Sequence, residues 1–455
     1  MDGISSIALA VFVSVLTILW VKVNKKLYND IVSPFNILYW GWVFPFLLSY
    51  FRISGFQSPP ALWMEVLVVL ITLIMAAISL APALVGAERN HDNILLTFKA
   101  FYRSANFRLV LFIFLCVTLG LKFVAEFGDG VVPLVDYING TAIESTLHLV
   151  GKDSKLQVIG NGLAVAAVLC WFGFLASDKR TEKIMYLLLA TIPIAFGIAK
   201  TSKSDIFEVI LYYFIAFYYW RRFSGTKFYF AQTFLFLAIL GSGMALLTTV
   251  RLNIEEVKLA TLWIDAKWPE FVIYPFDEIL SILYGYTAIN FDNLYRFLAG
   301  FDSEYHFGSS VFRPFFSMLM SGDIPRQMTE GVDMHGFIET AVGTFLRDVY
   351  FEGGPGLCIF AAILYSAMIN YVYSRLRRGG GSTYLVTYMF LAFPWAWLVF
   401  NNAFGTLSIY VNIFYAILLL NIGLWIVKTR EGRAGRPVRA ANTGGSNARI
   451  NRVSG

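Results

Sequence analysis

The chain has 455 residues, of which 57% are hydrophobic and 15% charged, with a formal net charge of +6. A water-soluble globular protein could not keep that balance without exposing large apolar patches, so an ordinary soluble enzyme is excluded and the bilayer is the expected solvent. The excess positive charge comes mostly from Arg430, Arg433, Arg436, Arg439, Arg449 and Arg452, set among Gly, Asn and Ser. That composition predicts a disordered basic tail over 428–455 lying near anionic lipid, and no nucleic-acid partner is expected.

In chain order, apolar runs predict about eleven transmembrane helices, at 4–21, 35–51, 62–85, 107–127, 158–176, 184–199, 205–220, 228–250, 353–374, 383–400 and 405–427. The first has no basic residue before it and no small-residue cleavage site after it, and reads as a retained helix. Cys116, Cys170 and Cys358 lie inside apolar runs without Cys-x-x-Cys spacing, which predicts packing residues rather than disulfides or a zinc site. No Asp-x-Asp motif, His-rich cluster or P-loop asks for a metal or a nucleotide, so no cofactor is expected. The reading is an all-α polytopic membrane protein, a single transmembrane domain over 1–427 with a 102-residue loop, 251–352, between the eighth and ninth spans.

Lys and Arg in alternate connections number 23 in one set and 12 in the other. The richer set belongs in the cytoplasm, because basic loops are retained there during insertion. The N-terminus is then outside, the C-terminus inside, and the 251–352 loop faces out. Within it, aromatic and aliphatic residues from Leu262 to Leu298 alternate with Asp265, Lys267, Glu270, Asp277, Glu278, Asn290 and Asp292, which predicts short helices lying on the membrane surface; Trp263 and Trp268 suit the interface.

Polar groups concentrate on this outer side. Lys200 and Lys203 flank the turn before span seven, where free N–H groups at a helix start and two ammonium groups would hold a phosphate. The same residues also fit a plain helix cap with lysines reaching lipid headgroups. Arg251 ends span eight on that face and is a bidentate pyrophosphate ligand or an anchor. In His335–Asp348, a helix would set His335 and Glu339 on one face, followed by Gly343 and Arg347. An imidazole and a carboxylate are the groups needed to deprotonate a sugar hydroxyl, and a solvated polar face on an entry helix is the alternative reading. His306 and Arg313 are further candidates for binding. Lys122 and Glu126, spaced i, i+4, predict a structural ion pair near the outer end of span four. The first outer loop, Arg52 to Pro60, holds no carboxylate.

The run Gly343-Thr344-Phe345-Leu346-Arg347-Asp348-Val349-Tyr350-Phe351-Glu352-Gly353-Gly354-Pro355-Gly356, with the basic stop Arg375 to Arg378 after the next span, resembles the late-loop signature of Wzy-type repeat-unit polymerases, relatives of the O-antigen ligases. The turn Thr201-Ser202-Lys203, Arg251, Tyr284-Gly285-Tyr286 and Asn293 match as well, and the likeness covers roughly residues 180–427. The resemblance implies a GT-C-like fold and a metal-independent glycosyltransferase of the bacterial inner membrane. That enzyme would join undecaprenyl-pyrophosphate-linked glycan units into O-antigen or exopolysaccharide. It implies Lys203 and Arg251 on the donor pyrophosphate and His335 or Glu339 at the acceptor hydroxyl. The donor and acceptor glycans and membrane lipid are the implied partners, and a chain-length regulator is the protein partner it suggests. The absence of a carboxylate in the first outer loop separates the chain from dolichyl-donor mannosyltransferases. The O-antigen ligase is the nearest rival. A flippase for the same lipid-linked sugar is the rival of another class, set against by the lack of duplicated halves.

Overall fold

The computed structural model describes residues 3–55, 57, 59–85, 91–128, 130, 132–138, 155–200, 202–226, 265–268, 272, 276–301, 304–308, 310–314, 332–333, 339–340 and 343–433. Its long helices are α1 (Gly3–Leu27), α4 (Leu62–Leu80), α6 (Ala105–Phe127), α10 (Arg180–Ala199), α11 (Lys203–Phe223), α14 (Thr344–Arg377) and α16 (Leu407–Arg433). Between α1 and α4, α2 (Pro34–Leu38) and α3 (Phe44–Ser49) are joined by a π turn, Tyr39–Val43. The remaining helices are α5 (Asp92–Arg103), α7 (Pro133–Ile138), α8 (Lys155–Gly160), α9 (Gly162–Ala176), α12 (Phe276–Thr287), α13 (Ile289–Gly300) and α15 (Ser382–Ala396). A two-stranded antiparallel ribbon pairs β1 (Val332–Asp333) with β2 (Glu339–Thr340).

Among the described residues, six helices are long and apolar enough to cross a membrane: α1, α4 with the 3-10 turn after it, α6, α10, α14 and α16. Helices occupy the other expected segments too, but α2 to α3, α9 and α15 are short and α11 carries acidic and basic residues at its ends. The expected span 228–250 lies outside the described residues. Outward-facing Phe12, Leu73, Leu109, Phe112, Leu188, Phe360 and Trp425 give the bundle the apolar exterior that lipid requires.

Because lipid offers apolar surface no worse than a neighbouring helix does, cohesion in such a bundle comes from close packing and internal hydrogen bonds. Gly41 shows the first: a Cβ there would sit 2.6 Å from the Ala396 carbonyl oxygen, so only glycine lets the π turn touch the end of α15. Trp42 shows both. Fully buried, it donates from Nε1 to Thr72 Oγ1 at 2.8 Å and packs edge-on against Phe291 and Phe345, with ring centroids 4.9 and 5.1 Å away.

Two expectations are corrected. The loop helix α13 does not lie on the surface: Ile289 through Tyr295 are all buried, and Phe291 wedges between Trp42 and Phe46, because its apolar and polar faces both find partners in the bundle end. The tail is helical to Arg433, so 428–433 extend α16. Within α14 the backbone breaks at Gly353-Gly354, with Gly354 at φ +68° and Pro355 unable to continue the ladder, so the expected start of the ninth span at 353 coincides with a kink that follows a further helical segment, 344–352. An unexpected element, α5, turns Ile94, Phe98, Phe101 and Tyr102 into the core from a connection read as a loop.

At one end of the bundle, Asp30 is 3% exposed and organises three helices. Its carboxylate accepts from Tyr219 at 2.9 Å, Tyr373 at 2.8 Å and the Val32 N–H at 3.0 Å, with Arg222 Nη1 at 3.8 Å. Asp30→Ala removes an acceptor that buried phenols and an arginine all need, and is expected to lower stability by about 3 kcal/mol. A thermal-shift assay on detergent-solubilised protein checks this. Gly354→Ala, which forces a left-handed Cβ against Tyr305, is expected to cost about 1–2 kcal/mol in the same assay.

Candidate functional site

The two ends of the bundle differ in kind. At the Asp30 end, Arg222 donates to the Asn29 carbonyl at 2.7 Å, Arg377 to the Pro82 carbonyl at 3.1 Å, and Arg108 pairs with Glu182 at 3.1 Å. The connections counted as basic therefore meet there. At the opposite end, Phe207 of α11 packs on Trp397 beyond α15, ring centroids 4.8 Å apart, and the Phe345 N–H donates to the Leu398 carbonyl at 2.8 Å. The start of α11 and the start of α14 thus share one end. The first loop joins them through the large loop: Lys267 N–H donates to the Ile53 carbonyl at 2.8 Å and Gly55 N–H to the Asp265 carbonyl at 2.9 Å.

Three polar groups stand at this end. In the first, Glu126 bridges Lys122 at 3.1 Å and Lys200 at 3.0 Å, and Lys200 also reaches Asp205 at 3.0 Å. Lys122 donates further to Asn161 at 2.6 Å, and Ser202 caps α11 by accepting from the Asp205 N–H. Burial disfavours the ammonium form of Lys200, but Asp205 and Glu126 outweigh it and hold the amine above its ordinary value. Lys200 is therefore a charge already compensated by protein, and the expected Lys122–Glu126 pair is one edge of a larger network. Lys203 stands at the first position of α11, with its side chain outside the described residues.

The second group lines the start of α14. Arg347, 3% exposed, lies over the Phe297 ring at 5.5 Å and beside Gly343, which also faces Asn293. The Asp348 carboxylate accepts from the Asn402 N–H at 2.8 Å and feels the charges of Arg347 and Arg313. Asn402 in turn donates to Ser310 Oγ at 2.7 Å and Tyr365 OH at 3.0 Å. Glu352, 1% exposed, accepts backbone N–H groups from Gly308 at 2.8 Å, Phe312 at 3.3 Å and Val311. It fixes the 308–312 turn that carries Arg313. His306 is exposed and stacks on Phe351 at 4.4 Å.

The third group is a small cleft of about 20 Å³, partly open to solvent, between α3, the first loop, α4 and α13. Arg52, Gln57, Glu65, Asp292, Tyr50 and Tyr295 line it. The first loop itself has no carboxylate, yet Glu65 from α4 and Asp292 from the large loop bring two beside it. Asp292 pairs with Arg296 one turn along α13 at 2.8 Å. Tyr284 does not face the cleft with a free hydroxyl: it donates to Gln57 Oε1 at 2.6 Å and accepts from the Ile53 N–H at 3.3 Å. Burial pushes its phenol up to about 12, so it remains a donor that pins the first loop.

Of the expected site residues, Asn293 and Arg347 come together, with Arg313 joined to them through Asp348. Arg251 and His335 lie outside the described residues, as do the side chains of Tyr286 and Glu339. Glu339 and Thr340 are extended, with Glu339 opposite Asp333 in the ribbon, and not on a helix as expected; the next helix starts at Thr344, while 335–338 and 341–342 lie outside the described residues. Gly336 and Gly343 weaken a helix there, while Val332, Ile338 and Thr340 favour extended backbone. Asp348, Glu352, Asn402, Arg52 and Glu65 were not singled out from the sequence; the first two sat inside the motif, while Glu65 carried no signal beyond a charge in the first turn of a span. Comparison of the chain with family models, curated proteins and solved structures found no match to any of them.

The lysine network is expected to behave as structure. Glu126→Gln strips a carboxylate from two buried ammonium groups and should cost about 3 kcal/mol, with a coupling to Lys122→Gln above about 1 kcal/mol in a double-mutant thermal-shift cycle. Additive effects with Lys122→Gln would show that the pair within α6 is uncoupled, and additive effects with Lys200→Gln that Glu126 does not hold α6 against the end of α10.

Proposed function

We propose that this chain is a metal-independent glycosyltransferase that polymerises undecaprenyl-pyrophosphate-linked oligosaccharide repeat units. In this reading it crosses the bacterial inner membrane about eleven times in a GT-C-like arrangement, with the N-terminus periplasmic and the C-terminus cytoplasmic. The observation that carries the reading concerns the motif segment Gly343–Gly356. It sets buried Arg347 and Glu352 beside half-buried Asp348 at the end of the bundle opposite the basic loops. Since basic loops stay in the cytoplasm, that cluster belongs to the periplasmic side.

The chemistry asked of such a site is a single displacement. An acceptor sugar hydroxyl loses its proton to His335 or Glu339, its oxygen attacks the anomeric carbon of the donor chain, and the glycosidic bond to pyrophosphate breaks with inversion. The departing pyrophosphate gains negative charge and needs fixed cations more than a proton donor. Lys203 and Arg251 supply them in this reading, and Arg347 and Arg313 add cations at the start of α14. Lys200, neutralised by Glu126 and Asp205, supports the start of α11 instead. The polyprenyl tail lies between helices, where each buried methylene contributes about 0.8 kcal/mol.

Reconstitution in proteoliposomes with a purified undecaprenyl-pyrophosphate-linked repeat unit tests the proposal. Wild-type protein is expected to yield a ladder of chain lengths. Arg251→Ala and Arg347→Ala are each expected to slow extension by about 100-fold or more while the protein remains folded. A wild-type preparation that forms no ladder from an authentic repeat unit contradicts the function. Normal ladders from Arg251→Ala remove the phosphate assignment.

A further inference from the structure

We propose that Asp348 is the group that accepts the proton of the acceptor sugar's hydroxyl. The inference rests on the glycosyl-transfer reading above, and it gives that role to a carboxylate inside the motif segment in place of His335 or Glu339. Three observations at the start of α14 carry it. The first is what remains free on the side chain. Asp348 is half-buried, joins no salt bridge among the described residues, and takes one hydrogen bond, from the Asn402 N–H to Oδ2 at 2.8 Å. Its other oxygen is left to a ligand. Glu352, one turn further along the same face of α14, shows the contrast. Only 1% exposed, it takes the N–H groups of Gly308, Val311 and Phe312 and is spent on holding the fold.

The second is orientation. A backbone N–H at one oxygen fixes the carboxylate, and the residue that supplies it is itself held. Asn402, 3% exposed, donates from Nδ2 to Ser310 Oγ at 2.7 Å and to Tyr365 OH at 3.0 Å. Ser310 belongs to the turn that Glu352 pins. The Asn402 side-chain oxygen is buried without a partner, so unfilled acceptor capacity stands beside Asp348. Two acceptors that lack donors fit a hydroxyl-bearing ligand, which brings donors; a phosphate or a carboxylate brings none.

The third is charge. Arg347 lies over the Phe297 ring at 5.5 Å and Arg313 is carried by the pinned turn, and both act on Asp348 from beyond salt-bridge distance. Guanidinium groups near the reacting centre stabilise a departing pyrophosphate, and a carboxylate tied to neither stays free to take a proton. In the step, the acceptor O–H gives its proton to Asp348 and the oxygen's electron pair bonds the anomeric carbon. The anomeric C–O bond breaks with its electrons going to the pyrophosphate, and Asp348 then passes the proton to water.

Initial rates of chain extension against pH, in proteoliposomes with a purified undecaprenyl-pyrophosphate-linked repeat unit, test the assignment. The ionisable groups around Asp348 are Arg347 and Glu352 on its own helix, Arg313 and the exposed His306 on the facing turn, and Tyr365 through Asn402. Wild type should lose rate on acidification as the carboxylate takes up a proton. Asp348→Asn, which keeps an oxygen for the Asn402 N–H, should melt close to wild type, extend chains about 100-fold or more slowly, and lose that acidic limb. Asp348→Glu should keep the limb at a displaced midpoint, which titration of His306 would not produce. Extension by Asp348→Asn at the wild-type rate, or an acidic limb unmoved in Asp348→Glu, overturns the assignment and leaves the polymerase reading standing. A wild type that forms no ladder rejects both. Should Asp348→Asn fail to fold, the Asp348→Glu profile decides by the same criterion.

Discussion

A charged side chain inside an apolar bundle persists only where the protein itself supplies its partner, because lipid supplies none. That constraint divides this molecule into two ends. At one, Asp30 gathers Tyr219, Tyr373 and Arg222, and Arg222 and Arg377 close onto backbone carbonyls while Arg108 pairs with Glu182. At the other, Glu126 ties α6 to the turn before α11, and Glu352 collects the N–H groups of a loop turn. Between the ends the faces are apolar and packed by glycine and aromatic contacts. The proposed site depends on this arrangement, since it sets Arg347 and Asp348 at the end that carries few basic connections.

The large loop is part of the bundle's architecture. Phe291 of α13 enters between Trp42 and Phe46, and the backbone of 265–268 pairs with that of 53–55. The first loop is thereby fixed by residues more than two hundred positions later. This explains why Tyr284, matched to a binding role by resemblance, spends its hydroxyl on Gln57: it holds the wall of a cleft and does not line it. Lys200 follows the same logic, since an ammonium group near lipid is stable where two carboxylates face it.

Hydropathy made most helices legible, since a run of apolar residues is long, local and nearly unambiguous. The Lys122–Glu126 pair was legible too, from i, i+4 spacing alone. What escaped was decided by partners distant in sequence. The burial of α13 depends on a pocket made by α3, which no pattern within 289–300 reports. The strand at Glu339–Thr340, paired with Val332–Asp333, stands where the spacing of His335 and Glu339 permitted a helix. Helix α5 had a readable signal in Ile94, Phe98, Phe101 and Tyr102, hidden because its connection was short and basic. Glu65 and Asp292 lie far apart in the chain, and only the fold makes them two walls of one cleft.

The account stands on the start of α11, the large loop and the first loop all facing the periplasm. Single cysteines at Ser204, Tyr305, Asp178 and Ser224, in a chain whose native cysteines are replaced by alanine, can be probed with a membrane-impermeant maleimide on intact cells. The account predicts labelling at 204 and 305 from outside, and at 178 and 224 only after permeabilisation. Labelling of 204 solely from the cell interior while 305 reacts from outside would contradict it, because the groups assigned to one chamber would then lie across the membrane from each other.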